Sequence, residues 1–98
     1  MTDTPEIAFR TGPAGRRAVI AGGPDVWEVI AAAREAPERG EELVGALAMR
    51  IGLPADKIQI AIRYYAEYPA EVDHFIALAE DEAERHEQTL ERERQLLG

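Results

Sequence analysis

The sequence contains neither cysteine nor serine. The lack of cysteine excludes disulfides, thiolate metal sites and cysteine nucleophiles, and it is compatible with a cytoplasmic protein. No stretch approaches the roughly 18 consecutive apolar residues of a membrane span. The first ten residues lack the basic start and the apolar run of a secretion signal. We therefore expect a protein that is neither secreted nor membrane-embedded, with the cytoplasm as its location.

Positive charge is also scarce and unevenly distributed. The chain of 98 residues has 11 basic and 19 acidic residues, which gives a net charge of -8. Residues 70–98 carry nine acids and only three bases, whereas residues 1–69 are nearly balanced, with ten acids and eight bases. A chain of this length forms one modest core and leaves little room for a deep catalytic cleft. These features favour a binding module over an enzyme.

Candidate catalytic and metal motifs are incomplete. His86 and Glu87 begin like the zinc-protease HExxH helix, but Leu90 stands where the second histidine belongs. His74 and His86 are twelve residues apart, roughly 18 Å along a helix, which is too far to share a metal. The glycines between residues 12 and 23 are not followed by the Gly-Lys-Ser/Thr of a phosphate loop. We predict no enzymatic activity, no metal and no cofactor.

Periodicity and turn residues predict a mainly α-helical fold. "IAFRTG" and "RRAVIAGG" indicate two short strands about a Pro/Gly turn, which form an N-terminal β-hairpin. Apolar spacing then predicts helices over Pro24–Ala36, from Glu41 to Gly52, from Leu53-Pro54 to Tyr68-Pro69, and over Ala70–Leu97. We expect a three-helix core with a helix-turn-helix of winged-helix type and a long C-terminal helix, divided into domains 1–69 and 70–98.

The second and third helices show the spacing of a DNA-reading helix pair. Ala48, Gly52 and Ile58 supply a small residue at the close approach, a glycine at the turn and a branched apolar residue facing back. Asp56 would oppose phosphates, and the same spacing is also compatible with a plain helical corner in a small bundle. The side chains suited to phosphates or base edges are Arg16, Arg17, Arg50, Lys57, Gln59 and Arg63.

The C-terminal helix has an apolar seam at heptad spacing. Its positions are Val72, Ile76, Ala79, Ala83, His86, Leu90 and Leu97. The seam weakens after Ala79 because alanine and histidine bury little apolar surface. A homodimeric coiled coil and a solvated tail are therefore alternatives to binding a different protein.

The order of elements and two sequence stretches resemble a known family. "AVIAG" before "VWEVI", and "KIQIAIRYYAEYPAEVD", are similar to the domain-of-unknown-function family 433, a group of VapB-type antitoxins with a winged helix-turn-helix-like fold. The similarity covers residues 7–78. Where family members often have Gly-Thr-Arg after the second strand, this chain has Gly22, Gly23 and Pro24. A DNA contact by that arginine therefore does not transfer to this chain.

The resemblance implies a type II antitoxin. Such a protein forms a homodimer, binds its own operator DNA through the N-terminal domain and covers a PIN-like ribonuclease toxin with its C-terminal segment. An acidic amphipathic helix suits the basic groove of an RNA-cleaving enzyme. The expected toxin-binding residues are Val72, Phe75, Ile76, Ala79, Glu80, Glu84 and Leu90. The alternatives are a structural dimerisation or adaptor module and a transcription regulator without a toxin.

Overall fold

A computed structural model describes residues 6–98 as a β-hairpin followed by four helices. The strands are β1 (Ile7–Gly12) and β2 (Gly15–Ile20). The helices are α1 (Val26–Glu35), α2 (Glu41–Ile51), α3 (Ala55–Glu67) and α4 (Pro69–Leu97). The predicted fold class, mainly helical with an N-terminal hairpin and a long C-terminal helix, is confirmed.

The hairpin packs on the helices mainly through the last three residues of β2. Its strands are antiparallel, with Ile7 opposite Ile20, Phe9 opposite Ala18 and Gly12 opposite Gly15. Gly15 has φ 105°, a left-handed conformation that glycine adopts without strain at the tight turn. Side chains alternate between the two faces of a strand. Ala18 and Ile20 therefore share one face with Phe9, and Val19 lies on the other. Ala18, Val19 and Ile20 are all buried, whereas Phe9 is 46% exposed.

Local signals set the helix ends within one or two residues of the predicted positions. Helix α1 begins at Val26, two residues later than predicted. Asp25 is its N-cap residue, and the Asp25 backbone is extended and not helical (φ -64°, ψ 147°). Glu28 Oε1 accepts a hydrogen bond from the Asp25 backbone N–H at 3.0 Å, which completes half of a capping box. Gly52 ends α2 in the left-handed conformation, and Pro69 opens α4 at its first turn.

The hydrophobic core joins all four helices and the second strand. Val29, Leu47, Ile58 and Ala61 have no exposed surface, and they come from α1, α2 and α3. The remaining members of the central cluster are Ala18, Ile20, Val26, Ile30, Val72 and Ile76. Val72 and Ile76 belong to α4, so the first turns of that helix pack in the same core as the other three.

This core corrects the predicted domain boundary at residue 69. The core segment of α4, residues 69–79, packs on α1 and α3, whereas every residue from 80 to 98 is exposed. We call residues 80–98 the overhang; it projects about 28 Å at 1.5 Å per residue. The radius of gyration is 16.0 Å, against about 13 Å for a compact domain of this size. The folded unit therefore ends near Ala79 and not before Ala70.

None of the helices within residues 6–98 is both long enough and apolar enough to cross a membrane.

Candidate binding surfaces

Arg17, predicted as a DNA-contacting cation, is half-buried and ion-paired. Its Nε donates to Asp25 Oδ2 at 2.6 Å, and the same oxygen accepts a hydrogen bond from Trp27 Nε1 at 3.1 Å. The Asp25 side chain is only 15% exposed. This arrangement connects β2 to the start of α1 and neutralises the guanidinium. The ion pair with Asp25 makes Arg17 less available to a DNA phosphate than an unpaired arginine would be.

Arg16 lies on an aromatic surface that we call the aromatic patch, formed by Phe9, Tyr64 and Tyr68. The Arg16 guanidinium carbon is 4.2 Å from the centre of the Phe9 ring, a cation–π distance. The Phe9 and Tyr64 rings are 6.3 Å apart, and those of Tyr64 and Tyr68 are 4.8 Å apart. Phe9 and Tyr68 are each about half exposed. The patch therefore presents apolar area beside a positive charge.

A carboxylate from α4 fixes the central ring of this patch. The Tyr64 hydroxyl donates to Glu71 Oε1 at 2.6 Å. Burial raises the pKa of Tyr64 above its ordinary value, and the hydrogen bond to the Glu71 carboxylate acts in the same direction. Tyr64 therefore stays neutral in the physiological range and joins α3 to the core segment of α4.

The exposed face of α3 carries mixed charge. Gln59 and Arg63 are exposed, as predicted for a recognition helix, but Lys57 is half-buried. Asp56 and Glu67 lie on the same face as Arg63, because residues three, four, seven and eleven positions apart share a side of a helix. Two acids therefore flank the single cation of the exposed strip.

Arg50 has an acidic partner in the fold. Its guanidinium contacts the Glu38 carboxylate at 3.1 Å across the loop before α2. A contact of Arg50 with the DNA backbone, as predicted, would therefore have to compete with this ion pair. Within residues 6–98, the six predicted DNA-contacting side chains therefore divide into two with acidic partners, Arg17 and Arg50, and four without one, Arg16, Lys57, Gln59 and Arg63.

The predicted partner-binding residues of α4 fall into two groups. Val72, Phe75 and Ile76 are buried at 2%, 8% and 3% exposure. They therefore cannot act as anchors for another protein, which corrects their assignment. Ala79 is half-buried at the edge of the core, whereas Glu80, Glu84 and Leu90 are exposed on the overhang. The N-terminal part of the apolar seam thus packs on the chain's own core, and the C-terminal part is exposed to solvent.

The overhang has an unusual charge arrangement. Glu80, Glu84, Glu87 and Glu91 follow one another at spacings of four, three and four residues, so they form a row on one side of the helix. Like charges at these spacings destabilise a helix by about 0.2–0.5 kcal/mol per pair. Arg94 reduces this repulsion only at the C-terminal end of the row, where it contacts Glu91 at 2.9 Å. The exposed seam positions Ala83, His86, Leu90 and Leu97 border this row.

One polar cluster that the sequence did not reveal fixes the direction of α4. Arg34 on α1 donates to the Tyr65 hydroxyl at 2.9 Å and also to the Asp73 carboxylate. The Tyr65 hydroxyl donates to Asp73 Oδ1 at 3.0 Å. Hydrogen bonding to Tyr65 raises the pKa of Arg34. Because Arg34 and Asp73 are 39 residues apart, no local pattern could have paired them.

Within residues 6–98, no group of three histidine, aspartate or glutamate side chains is placed to hold a metal ion. No protein-family model, no curated protein and no solved structure matches the chain.

Proposed function

We propose that this protein is a binding module that recognises a basic partner protein through the overhang of α4. The observation that carries the proposal is that every residue from 80 to 98 is exposed, and that these residues include seven acidic and three basic side chains. A helix that projects from a folded core without packing on it supplies apolar and charged groups to another molecule. The folded unit, residues 6–79, is its support.

The chemistry of the overhang defines the partner surface. The row of Glu80, Glu84, Glu87 and Glu91 requires lysine or arginine side chains at matching intervals, and Leu90 beside it requires a shallow apolar groove. An enzyme that binds RNA has a groove of this charge. The resemblance to VapB-type antitoxins makes a PIN-like ribonuclease the partner that we propose, and inhibition of that ribonuclease the activity.

The fold supports this proposal by presenting the overhang in a defined direction. Arg34, Tyr65 and Asp73 join α1, α3 and α4, and the Tyr64 hydroxyl holds Glu71. Both contacts lie in the core segment of α4, so they leave the overhang free. A helix held at its base loses less conformational freedom on binding than a flexible tail of the same sequence.

Charge reversal on the overhang tests the proposal. A PIN-like ribonuclease is assayed for RNA cleavage with the full chain as inhibitor. Glu84→Arg with Glu87→Arg should raise the concentration needed for inhibition by at least about tenfold, because like charges would then face each other. Asp81→Arg with Glu82→Arg is the matched control, since it makes the same change in net charge away from the glutamate row. Equal inhibition by both variants would contradict the proposal.

A second candidate function is DNA binding through α3. It is favoured by the three-residue connection between α2 and α3, with Gly52 left-handed, and by the exposure of Gln59 and Arg63. It is disfavoured by Asp56 and Glu67, which lie on the same face of α3 and would repel DNA phosphates. The free side chains for such an interface are Arg16, Lys57, Gln59 and Arg63.

The DNA proposal has its own test. Gln59→Ala with Arg63→Ala should weaken binding to a duplex from upstream of the gene and should lower the salt dependence by about one unit of slope. Arg50→Ala is the control, because Glu38 already neutralises that guanidinium. An identical binding curve for the double variant and the parent chain would exclude α3 as the DNA-contacting helix.

A further inference from the structure

The aromatic patch is a row of three rings that come from separate parts of the chain. Phe9 lies on β1, Tyr64 lies in α3, and Tyr68 joins α3 to α4. The ring centres are 6.3 Å and 4.8 Å apart along the row. The outer two rings, Phe9 and Tyr68, are 46% and 49% exposed. Contiguous exposed aromatic surface of this kind is typical of a binding site.

Arg16 is the cation of the hairpin that belongs to this patch. It pairs with Thr11, two residues along β1 from Phe9, so Arg16 and Phe9 lie on one face of the hairpin. Arg10 is next to Phe9 in sequence and therefore lies on the opposite face. The Arg16 guanidinium carbon is 4.2 Å from the centre of the Phe9 ring. Within residues 6–98, no acidic side chain lies within ion-pair distance of Arg16.

Lys57 adds a second cation on the helical side of the patch. It lies seven residues before Tyr64, which places it on the same side of α3, about 10 Å away along the helix axis. In the described part of the chain, Lys57 also has no acidic side chain within ion-pair distance. Arg63 is about 100° around the helix from Tyr64 and belongs to a different face. The cations beside the rings are therefore Arg16 and Lys57.

The patch suits a ligand that combines flat rings with negative charge. The Glu71 carboxylate, which contacts the patch, already accepts the hydrogen bond of the Tyr64 hydroxyl at 2.6 Å. A cationic ligand would meet Arg16, which covers the Phe9 ring. Nucleobases stack on aromatic side chains largely independently of sequence, and phosphates pair with arginine and lysine. Because the bases of a duplex stack on one another, only an unpaired strand offers both groups.

We propose that the aromatic patch is a binding site for single-stranded nucleic acid. Bases stack on the exposed faces of Phe9 and Tyr68, and Arg16 and Lys57 contact the phosphates. The net charge of -8 opposes any polyanion, so binding is weak and is strongest at low salt.

This site is separate from the two surfaces discussed above. None of its residues lies in the overhang, so ribonuclease inhibition and single-strand binding succeed or fail independently. The exposed strip of α3 with Gln59 and Arg63 lies on another face of that helix, and the same double variant that tests duplex binding there distinguishes the two sites.

Fluorescence anisotropy of labelled oligonucleotides tests the site with the full chain at low salt. The probes are oligo(U) and oligo(dT) of about 12 nucleotides, an abasic strand of the same length, and the duplex of oligo(dT) with oligo(dA). Binding of either single strand supports the site, and the tighter of the two identifies RNA or DNA as the ligand. The abasic strand and the duplex should bind at least about fivefold more weakly, because neither offers a free base face.

Matched substitutions separate stacking from charge. Tyr68→Leu and Phe9→Leu keep an apolar side chain but lose the ring, so each should weaken binding of the tighter strand at least about fivefold. Tyr68→Phe keeps the ring and should bind like the parent chain. Arg16→Ala should weaken binding and lower the salt slope by about 0.7. Arg10→Ala is the control, because it removes the same charge from the opposite face, and it should change the affinity by less than about twofold.

Circular dichroism should show the same helix content for all variants. A parent chain that binds neither single strand at about 100 µM in low salt would overturn the proposal. Equal losses in Arg10→Ala and Arg16→Ala would also overturn it, as would undiminished binding by a chain that carries both leucine substitutions.

Two further outcomes would assign the contacts elsewhere and so contradict the proposal. Polyglutamate that displaces the labelled strand as well as the unlabelled strand does would show that the patch recognises an acidic protein and not bases. A loss of single-strand binding in Gln59→Ala with Arg63→Ala would place the contacts on the exposed strip of α3. We expect polyglutamate to compete poorly and this double variant to bind single strands like the parent chain.

Discussion

The two parts of α4 have the same secondary structure but opposite surroundings. The core segment, residues 69–79, buries Val72, Phe75 and Ile76 against α1 and α3. The overhang, residues 80–98, has no buried residue and carries a net charge of -4, half of the chain's -8. An uninterrupted helix therefore need not be one functional unit. The position where burial stops, near Ala79, separates the part that stabilises the fold from the part available to a partner.

The largest expected effect comes from the position at which the chain is shortened. A chain ending at Tyr68 loses three buried side chains, each worth about 2–5 kcal/mol, which together rival the total stability of a small domain. It should be unfolded. A chain ending at Ala79 should melt within a few degrees of the full-length protein. Thermal unfolding followed by circular dichroism separates the two, and a folded chain ending at Tyr68 would refute the core assignment.

Replacing single apolar side chains by alanine should show the same difference between the core segment and the overhang, with smaller effects. Ile76→Ala should lower the free energy of unfolding by about 2–5 kcal/mol, because it leaves a cavity in the core. Leu90→Ala removes an exposed side chain and should change it by less than about 0.5 kcal/mol. Urea denaturation measures both values. Similar losses at the two positions would mean that the overhang is packed in solution.

Two ion-paired aspartates on α4 provide a finer comparison. Asp73 accepts from Arg34 and Tyr65 on other helices, whereas Asp81 contacts only Arg85 one turn along the same helix. We expect Asp73→Ala to cost about 1 kcal/mol, since two donors lose their acceptor, and Asp81→Ala to cost less than about 0.5 kcal/mol. Urea denaturation of the two variants tests this order, and a larger loss at Asp81 would contradict it.

The smallest expected effect is on the free energy of unfolding at alkaline pH. The pKa of Tyr64 is raised in the folded state above its ordinary value of 10.0, so the unfolded chain loses this proton first. Stability from this group is complete below pH 10 and falls as the pH rises further. Tyr64→Phe should flatten that decline in urea denaturation between pH 9 and 11. An unchanged slope would show that burial and the hydrogen bond to Glu71 do not raise the pKa of Tyr64 in the folded protein.

Local sequence signals predicted the elements well because their causes are local. Gly52, Pro69 and the β-branched pair Val19 and Ile20 act within a few residues, and the structure places a turn, a helix start and a strand at these positions. The start of α1 was misplaced by one or two residues because both Pro24 and Asp25 are favourable at a helix start, and the hydrogen bond from Asp25 to Glu28 decides between them.

The surfaces were predicted less well because they depend on contacts distant in sequence. Val72 and Ile76 follow the same heptad spacing as Leu90, so periodicity alone could not show which of them would find a core. Arg17 and Arg50 resembled the other basic residues until Asp25 and Glu38 were seen beside them. A sequence shows which residues are cationic, but only the fold shows which of them have an acidic partner.

We propose that the overhang recognises a partner protein and that residues 6–79 serve as its support. RNA cleavage by a PIN-like ribonuclease, measured in the presence of the full chain or of the chain ending at Ala79, tests this assignment. We predict that the full chain inhibits at a stoichiometric ratio and that the shortened chain, although folded, does not. Equal inhibition by the shortened chain would contradict the account.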